Sequence, residues 1–535
     1  MENFMSKFKV AASSLIVFLC LMMPEMIYGF VNSYFQLCWL AEKLAVVYLL
    51  ALILTFTPYG KFKVFFTAFF CCCLLVQFCY MKYFGTYLTP YAINFILLEF
   101  NDIFLEAKNI WTDYVGIVAL CVFPFVLLLF LWKKRLIAQV PFKYYPVLYL
   151  SFFGYFFYQA STPEGIFQML FKNTCYASYN TINSFTAFFG NVLPRQFTEP
   201  QEQKFSLYDV MENAEFRGGN RNVIMVVGES TNAENMSLFG YSEKTTPRLE
   251  KYAEDDKNFV YKTAWAAAVN TLISLPMLYN IQYHPQDYRK LVVKDSNLLR
   301  LAKKSGFRVT YIELQNASVF RKTGVDSYDD LYIYDQEKDK GYKNEGEYLD
   351  FVLPQLDLHT RHFIIIHQRT IHSPYELNYA GDTGHYDFKG SDSHRIDTYN
   401  NSMLFEDMIL EKILRFASRS NIETYFYYIS DHGEALGQNG LWGHGHLNPA
   451  DLRVPFLFTM FNSNDTAYRD RLSELDNPCS YQIMTFIAEK LGFSVKIPGV
   501  SDDVCLINGR DSMGRAGILQ VKRLPEGKYV AEKKI

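Results

Sequence analysis

No histidine occurs in the first 283 residues of this chain; all ten lie beyond them. Imidazole is the commonest biological metal ligand and general base, so its confinement assigns the chemistry to the second half of the chain. Basic tails and arginine-rich patches are absent too. The 52 Lys and Arg stand against 55 Asp and Glu, a net charge of -3, and no nucleic-acid partner is expected. Cysteine is sparse outside the apolar first part. Seven of the ten (Cys20, Cys38, Cys71, Cys72, Cys73, Cys79, Cys121) lie in or beside apolar runs, where they act as small apolar side chains. Cys175, Cys479 and Cys505 remain, enough for at most one disulfide with one thiol left over. There is no internal repeat and no low-complexity segment.

Apolar residues are abundant and unevenly placed. At 535 residues the chain is long enough for two domains. Five apolar segments, roughly 10–30, 38–57, 62–82, 113–132 and 144–160, each approach the ~20 residues that cross a bilayer as helix. The first has no small-residue cleavage site and four more follow, so it is expected to be a retained anchor rather than a signal peptide. Lys7 and Lys9, Lys61 and Lys63, and Lys133, Lys134 and Arg135 all fall on one side if all five segments span. The positive-inside rule makes that side cytoplasmic, which leaves everything after residue 160 outside, in the periplasm if the cell is a bacterium. Residues 1–160 are thus expected to form a five-span helical membrane domain, 161–217 interfacial helix and linker, and 218–535 an exported α/β domain. Between the third and fourth spans, residues 83–112 are amphipathic. They are either a helix lying on the outer membrane face or a mere connector.

From about residue 220 the pattern changes. Asn222–Val227, Phe363–His367 and Tyr425–Ile429 are continuous apolar strands, with helical stretches at Leu298–Lys304 and Met403–Phe416. Strands of this kind alternating with helices predict a mostly parallel sheet covered on both faces. In such sheets chemistry gathers at the carboxyl ends of the strands. Glu229, His372 and the pair Asp431-His432 all follow strand ends.

Three separated pieces can meet there. Glu229 directly follows the first strand. Thr271, in Asn270-Thr271-Leu272-Ile273-Ser274-Leu275-Pro276-Met277, would open a helix, where backbone N–H groups favour an anion. The third piece is Ser430-Asp431-His432-Gly433-Glu434. Three oxygens and one nitrogen suit a tetrahedral zinc whose hydroxyl ligand is ionised and becomes nucleophilic. Taken singly, Gly228-Glu229-Ser230 also reads as a plain turn, and Thr271 as a helix N-cap.

Longer stretches carry a resemblance. They are Val226-Val227-Gly228-Glu229-Ser230, Ser237-Leu238-Phe239-Gly240-Tyr241, Thr245-Thr246-Pro247, Thr271 with Ser274 and Pro276, and Tyr399-Asn400-Asn401-Ser402. The last runs from Ser430-Asp431-His432-Gly433-Glu434 through Gly440 and His444-Gly445 to Val454-Pro455-Phe456. In this order they resemble the membrane-anchored phosphoethanolamine transferases of Gram-negative envelopes, the family that includes the mobile colistin-resistance enzymes. Those belong to the alkaline phosphatase and sulfatase superfamily. The resemblance implies an inner-membrane, multi-pass protein with a periplasmic catalytic domain of alkaline phosphatase/sulfatase-like α/β fold. It implies one tight Zn2+ site built by Glu229, Thr271, Asp431 and His432, with Thr271 as nucleophile. It gives His372 and His444 a part in binding the phosphoryl group or a second metal, and Asn94 a contact to the donor lipid, with Glu99 or Asp102 as its acidic neighbour. His446 has no counterpart and is expected to be a solvated loop histidine. His284, His359, His362, His367, His385 and His394 are expected to be structural or on the surface.

The implied reaction moves phosphoethanolamine from phosphatidylethanolamine to a lipopolysaccharide or lipooligosaccharide acceptor, a core sugar or lipid A, through a phospho-threonine intermediate. A monomer is expected. Leu275-Pro276-Met277 has no cysteine where lipid A-modifying members carry one, which leans toward core sugars, their phosphates or periplasmic glucans. A phosphoglycerol transferase using phosphatidylglycerol would share the same metal set. A sulfatase would need Cys/Ser-x-Pro-x-Arg, absent around Thr271. A sensor or channel would need paired charges within a span, also absent.

Overall fold

The structure is a computed structural model. It describes residues 2–31, 40–84, 87–98, 100–137, 142–162, 165, 169, 176–195, 209–213, 219–283, 295–323, 325–382, 384, 386–390, 393–497, 501, 503–510, 516–524 and 529–534. Two compact units result: Met1–Glu199 with Ser512–Ala516, and Pro200–Asp511 with Gly517–Ile535.

The first unit is helical. Among the described residues, Lys9–Val31, Lys61–Tyr83 and Trp111–Lys133 are the three helical stretches long and apolar enough to cross a membrane. The other two expected spans are helices Leu40–Phe56 and Tyr145–Ser161, each of 17 residues. At 1.5 Å per residue each covers about 25 Å, short of a hydrocarbon core of about 30 Å. Among the described residues the unit thus carries three candidate spans, and the expected count of five is not reached there. A further helix, Ala177–Ala187, is rich in Asn, Ser and Thr yet mostly buried. Hydrogen bonds explain this: Asn180 Nδ2 donates to Gln77 Oε1 and to the Leu88 carbonyl, both at 2.7 Å, and Ser178 Oγ donates to the Leu21 carbonyl at 2.8 Å. A buried amide is tolerated only when paired in this way.

The second unit is built on a seven-stranded sheet. Its strands are β1 (Arg221–Gly228), β2 (Val260–Trp265), β3 (Arg308–Glu313), β4 (Asp330–Ile333), β5 (His362–His367), β6 (Glu423–Ser430) and β7 (Arg453–Phe461), in the order β2-β7-β6-β1-β5-β3-β4. From β6 to β4 neighbours run parallel; β7 is antiparallel to both β6 and β2. Strand alternation creates two cores. Val223, Met225, Val227, Phe363 and Ile365 face Leu275, Leu301 and Ile483 on one side. Ile224, Val226, Ile364 and Ile366 face Leu349, Met403, Ile409 and Ile413 on the other. Helices thus cover both faces, which is why these strands read as unbroken apolar runs.

Beyond the sheet lies a three-stranded addition, Val504–Arg510, Ala516–Arg523 and Tyr529–Lys534, the last two antiparallel. Cys479 and Cys505, 26 residues apart, form a disulfide that ties it to the helix Ser480–Lys490. Closing a loop of that length contributes on the order of 3–4 kcal/mol in the chain-entropy account. Cys175 lies outside the described residues.

Candidate metal centre

The parallel register sets the site. Gly228 pairs with Ser430, and Val227 with both Ile429 and His367, so the residues that follow β1, β5 and β6 emerge side by side. Gly228 is required sterically: a Cβ there would lie 2.3 Å from Tyr428 Oη. Ser230 then adopts a left-handed φ of 53°, uncommon for a side chain of its kind. Three contacts hold it there. Its Oγ donates to Glu229 Oε1 (2.7 Å), its N–H to Asp431 Oδ1 (3.2 Å), and its carbonyl accepts from the Tyr399 hydroxyl (2.9 Å). Asn270, not Thr271, caps the helix Thr271–Tyr279 by accepting the Ile273 N–H. The threonine hydroxyl is therefore released from capping and turned to other work.

The four expected ligands converge. Thr271 Oγ1 donates to Glu229 Oε2 at 3.0 Å and lies 3.1 Å from His432 Nε2. His432 Nε2 lies 3.4 Å from Glu229 Oε1 and 3.2 Å from Asp431 Oδ2. Four donors bound tetrahedrally at 2.0–2.1 Å are separated by about 3.3 Å, so these spacings fit zinc. A further sign is that Asp431 Oδ2 is buried without a hydrogen-bond partner, a costly state unless a cation serves it. His432 Nδ1 lies 2.9 Å from the Gly433 carbonyl. That oxygen only accepts, so Nδ1 carries the proton and Nε2 presents its lone pair to the centre.

The electrostatics agree. Burial pushes the Glu229 carboxyl up, but the imidazoles of His432, His372 and His444 outweigh it and hold the group below its ordinary range. Burial, then the charge of Glu229, drives Asp431 well above its own. Two buried carboxylates this close cannot both ionise without a cation.

His444 is brought to the same place: its ring centroid lies 4.2 Å from that of His432, and its Nδ1 lies 3.0 Å from Glu434 Oε2. With Glu229 and His432 it forms a group whose ligand atoms lie within 4.8 Å of one another. His372 is near enough to lower Glu229, and its Nδ1 lies 2.6 Å from the Ser373 carbonyl. Asn94 lies in the helix Pro90–Leu98 of the first unit, its side chain outside the described residues. Glu99 and the Asp102 side chain are outside them as well, as are His284 and His385.

Several site residues carried no role in the sequence. His367, the last residue of β5, forms a second such group with Glu229 and Asp431. Its Nδ1 meets the Glu313 carboxylate at 2.9 Å. Gln315 donates to Glu229 Oε2 at 2.5 Å. Glu434 accepts the Tyr375 hydroxyl at 2.6 Å through its other oxygen. For Glu434 the signal was present, since it closes the Ser430–Glu434 motif. For Glu313 and Gln315 it was their place at the end of a strand that periodicity did not reveal. His446 overturns the expectation of a solvated loop residue: it is 1% exposed and paired with Asp451.

Acids, imidazole and a helix-opening threonine thus meet at the carboxyl ends of the strands of an α/β domain, in a group that could hold a metal ion. The Sulfatase family profile matches residues 221–477. Among curated proteins the chain is similar to phosphoethanolamine transferase EptC of Escherichia coli K12, 24% identical over 238 residues, 40% of each chain. It is also similar to phosphoethanolamine transferase EptA of Salmonella typhimurium LT2, 26% identical over 255 residues, 43% of this chain and 44% of that one. The matched stretches thus span about two fifths of those relatives' length. Among solved structures, the integral membrane lipooligosaccharide phosphoethanolamine transferase A of Neisseria meningitidis shares the fold. Its TM-score is 0.60 at 20% identity, over 90% of this chain and 96% of that one.

Proposed function

We propose that this chain is a zinc-dependent phosphoethanolamine transferase of a bacterial inner membrane. In this reading residues 1–160 anchor it, 161–217 link, and 218–535 act in the periplasm. The observation that carries it is the meeting of Glu229, Thr271, Asp431 and His432 within 3.0–3.4 Å; these four would hold the ion. Zinc, when bound, would lower the pKa of the Thr271 hydroxyl and neutralise phosphoryl charge. Thr271 Oγ1, at the first turn of its helix, attacks the phosphorus of phosphatidylethanolamine. Diacylglycerol leaves with a proton, and phosphoethanolamine stays on Thr271. A hydroxyl or phosphate of a lipopolysaccharide or related glycolipid then takes it up. His444, held by Glu434, and His372 protonate the leaving group or steady the phosphoryl oxygens, each worth ~10²–10⁴-fold. Asn94 contacts the donor lipid, and the chain acts as a monomer.

Mass spectrometry of envelope glycolipids from cells with and without the protein tests this. A gain of one phosphoethanolamine group is expected, and its position names the acceptor. Purified full-length protein given labelled phosphatidylethanolamine or phosphatidylglycerol should use the first. Preference for phosphatidylglycerol would make it a phosphoglycerol transferase, and label on periplasmic glucan would replace the acceptor. Retained transfer by Thr271→Ala would remove the mechanism.

A further inference from the structure

His446 and Asp451 are both buried, both outside the ligand set, and no role follows for them from the proposed reaction. Their bonds, with one from the neighbouring Leu452, connect three segments of the site. His444 sits between Gly443 and Gly445, at φ 79° and 100°, a backbone that is intrinsically loose. The preceding strand, Trp442–Gly443, is two residues long and offers little anchorage. Two residues on, the His446 N–H donates to Asp451 Oδ2 at 2.8 Å, and the ring Nδ1 lies 3.1 Å from the same oxygen. Asp451 lies in the short helix Pro449–Leu452. Its carbonyl accepts the Gly433 N–H at 2.9 Å, and the carbonyl of Leu452 accepts the Ala266 N–H at 2.9 Å. Gly433 in turn supplies the carbonyl that fixes the His432 ring, and Ala266 opens the run into Asn270 and Thr271.

We propose that His446 and Asp451 form a positioning pair that fixes the His444 loop against the His432 loop, so that His432 Nε2 is held for the metal and the two rings keep their spacing. The proposal rests on the zinc reading of the centre. Its physical basis is twofold. A buried histidine–carboxylate pair is a poor source of net stability against apolar side chains, and its best-attested use is registration. Outer groups that orient a ligating histidine typically change metal affinity 10–100-fold when lost. Neither residue touches the ion or the substrate; both act through Gly433 and the loop backbone.

The test compares His446→Phe, which keeps the ring bulk and the backbone N–H bond but removes the ring donor, with His446→Asn, which keeps a donor near the Nδ1 position. Zinc affinity of the full-length protein is measured by competition with a chromophoric chelator, beside the melting temperature without metal. About tenfold weaker zinc binding is expected for His446→Phe, which also melts lower because the buried Asp451 carboxylate loses a partner, with His446→Asn within about threefold of the wild type in affinity and melting near it. Wild-type affinity in His446→Phe would overturn the pair, as would equal loss in both variants. Since the readout is metal binding and not transfer, failure of the transferase reading would leave this comparison intact.

Discussion

The two ends of the central sheet are built from similar residues and do opposite things. At the amino end, Asn222, His362 and Thr424 share one register position. Asn222 Nδ2 donates to the Leu358 carbonyl and to Ser420 and Thr424 hydroxyls at 2.8–3.2 Å. His362 meets Thr310 Oγ1 at 2.7 Å and the Asp357 carbonyl at 2.9 Å. At the carboxyl end of the same strand, His367 faces Glu313, Glu229 and Asp431. Burial holds the His362 ring below its usual range. It opposes charge on His367 as well, but Glu313, Asp431 and Glu229 outweigh it and raise that ring. One strand therefore carries a neutral, internally satisfied histidine at one end and one bound to acids at the other. Burial alone does not mark a functional site. Surplus buried charge of one sign does.

Four experiments would break or sharpen that contrast. Thr271→Ala should lower transfer of labelled phosphoethanolamine by about 10³-fold or more, as nucleophile removal does elsewhere, while its unfolding midpoint stays near wild type. Glu434→Gln should cost about 10–100-fold in kcat through the loosened His444 ring; an unchanged rate would detach that imidazole from the chemistry. At the opposite end, Asn222→Ala should cost about 1–3 kcal/mol in a denaturant titration by leaving buried partners unmet, with kcat unaffected. The last concerns Glu406, fully buried behind the site, where Gln368 Nε2 donates to it at 3.0 Å. Burial, then the charge of Glu345, pushes it up to about 8, and burial pushes Glu345 itself to about 7. Unfolded carboxyls release their protons near pH 4.5, so between there and pH 8 the folded state holds more protons and stability falls as pH rises. Glu406→Gln should remove part of that fall, matching the wild type near pH 5 and melting higher near pH 9. An unaltered pH profile would show the carboxyl ionising normally.

Much of this was legible before any coordinates, and for identifiable reasons. Strands β1, β5 and β6 are unbroken apolar runs ending in polar residues, so Glu229 and Asp431-His432 stood out at their ends. Strand β3 mixes Thr310 and Tyr311 with Val309 and Ile312, and it buries that hydroxyl against His362. No periodicity announced it, and Glu313 and Gln315 stayed hidden. His372 drew attention beside Ser373 and Pro374, whereas His367, the terminal residue of β5, was expected to be structural or on the surface. His446 lay among glycines and looked solvated; only the fold brings Asp451 to it. The resemblance supplied Thr271, which sequence alone leaves open between cap and nucleophile and which the structure relieves of capping by placing Asn270 ahead of it. Among the described residues, helix length and not hydropathy separates three of the five apolar segments from the other two.

The closeness of Gly228 to Tyr428 has a corollary for substitution. A methyl group at 228 would meet not only the hydroxyl but ring carbons at 2.8 and 3.0 Å, so trimming Tyr428 to Phe is not enough to admit it. The two positions are therefore coupled sterically: a side chain at 228 needs the aromatic ring at 428 to be given up as well. A library that randomises both together should recover pairs that neither single-site library contains.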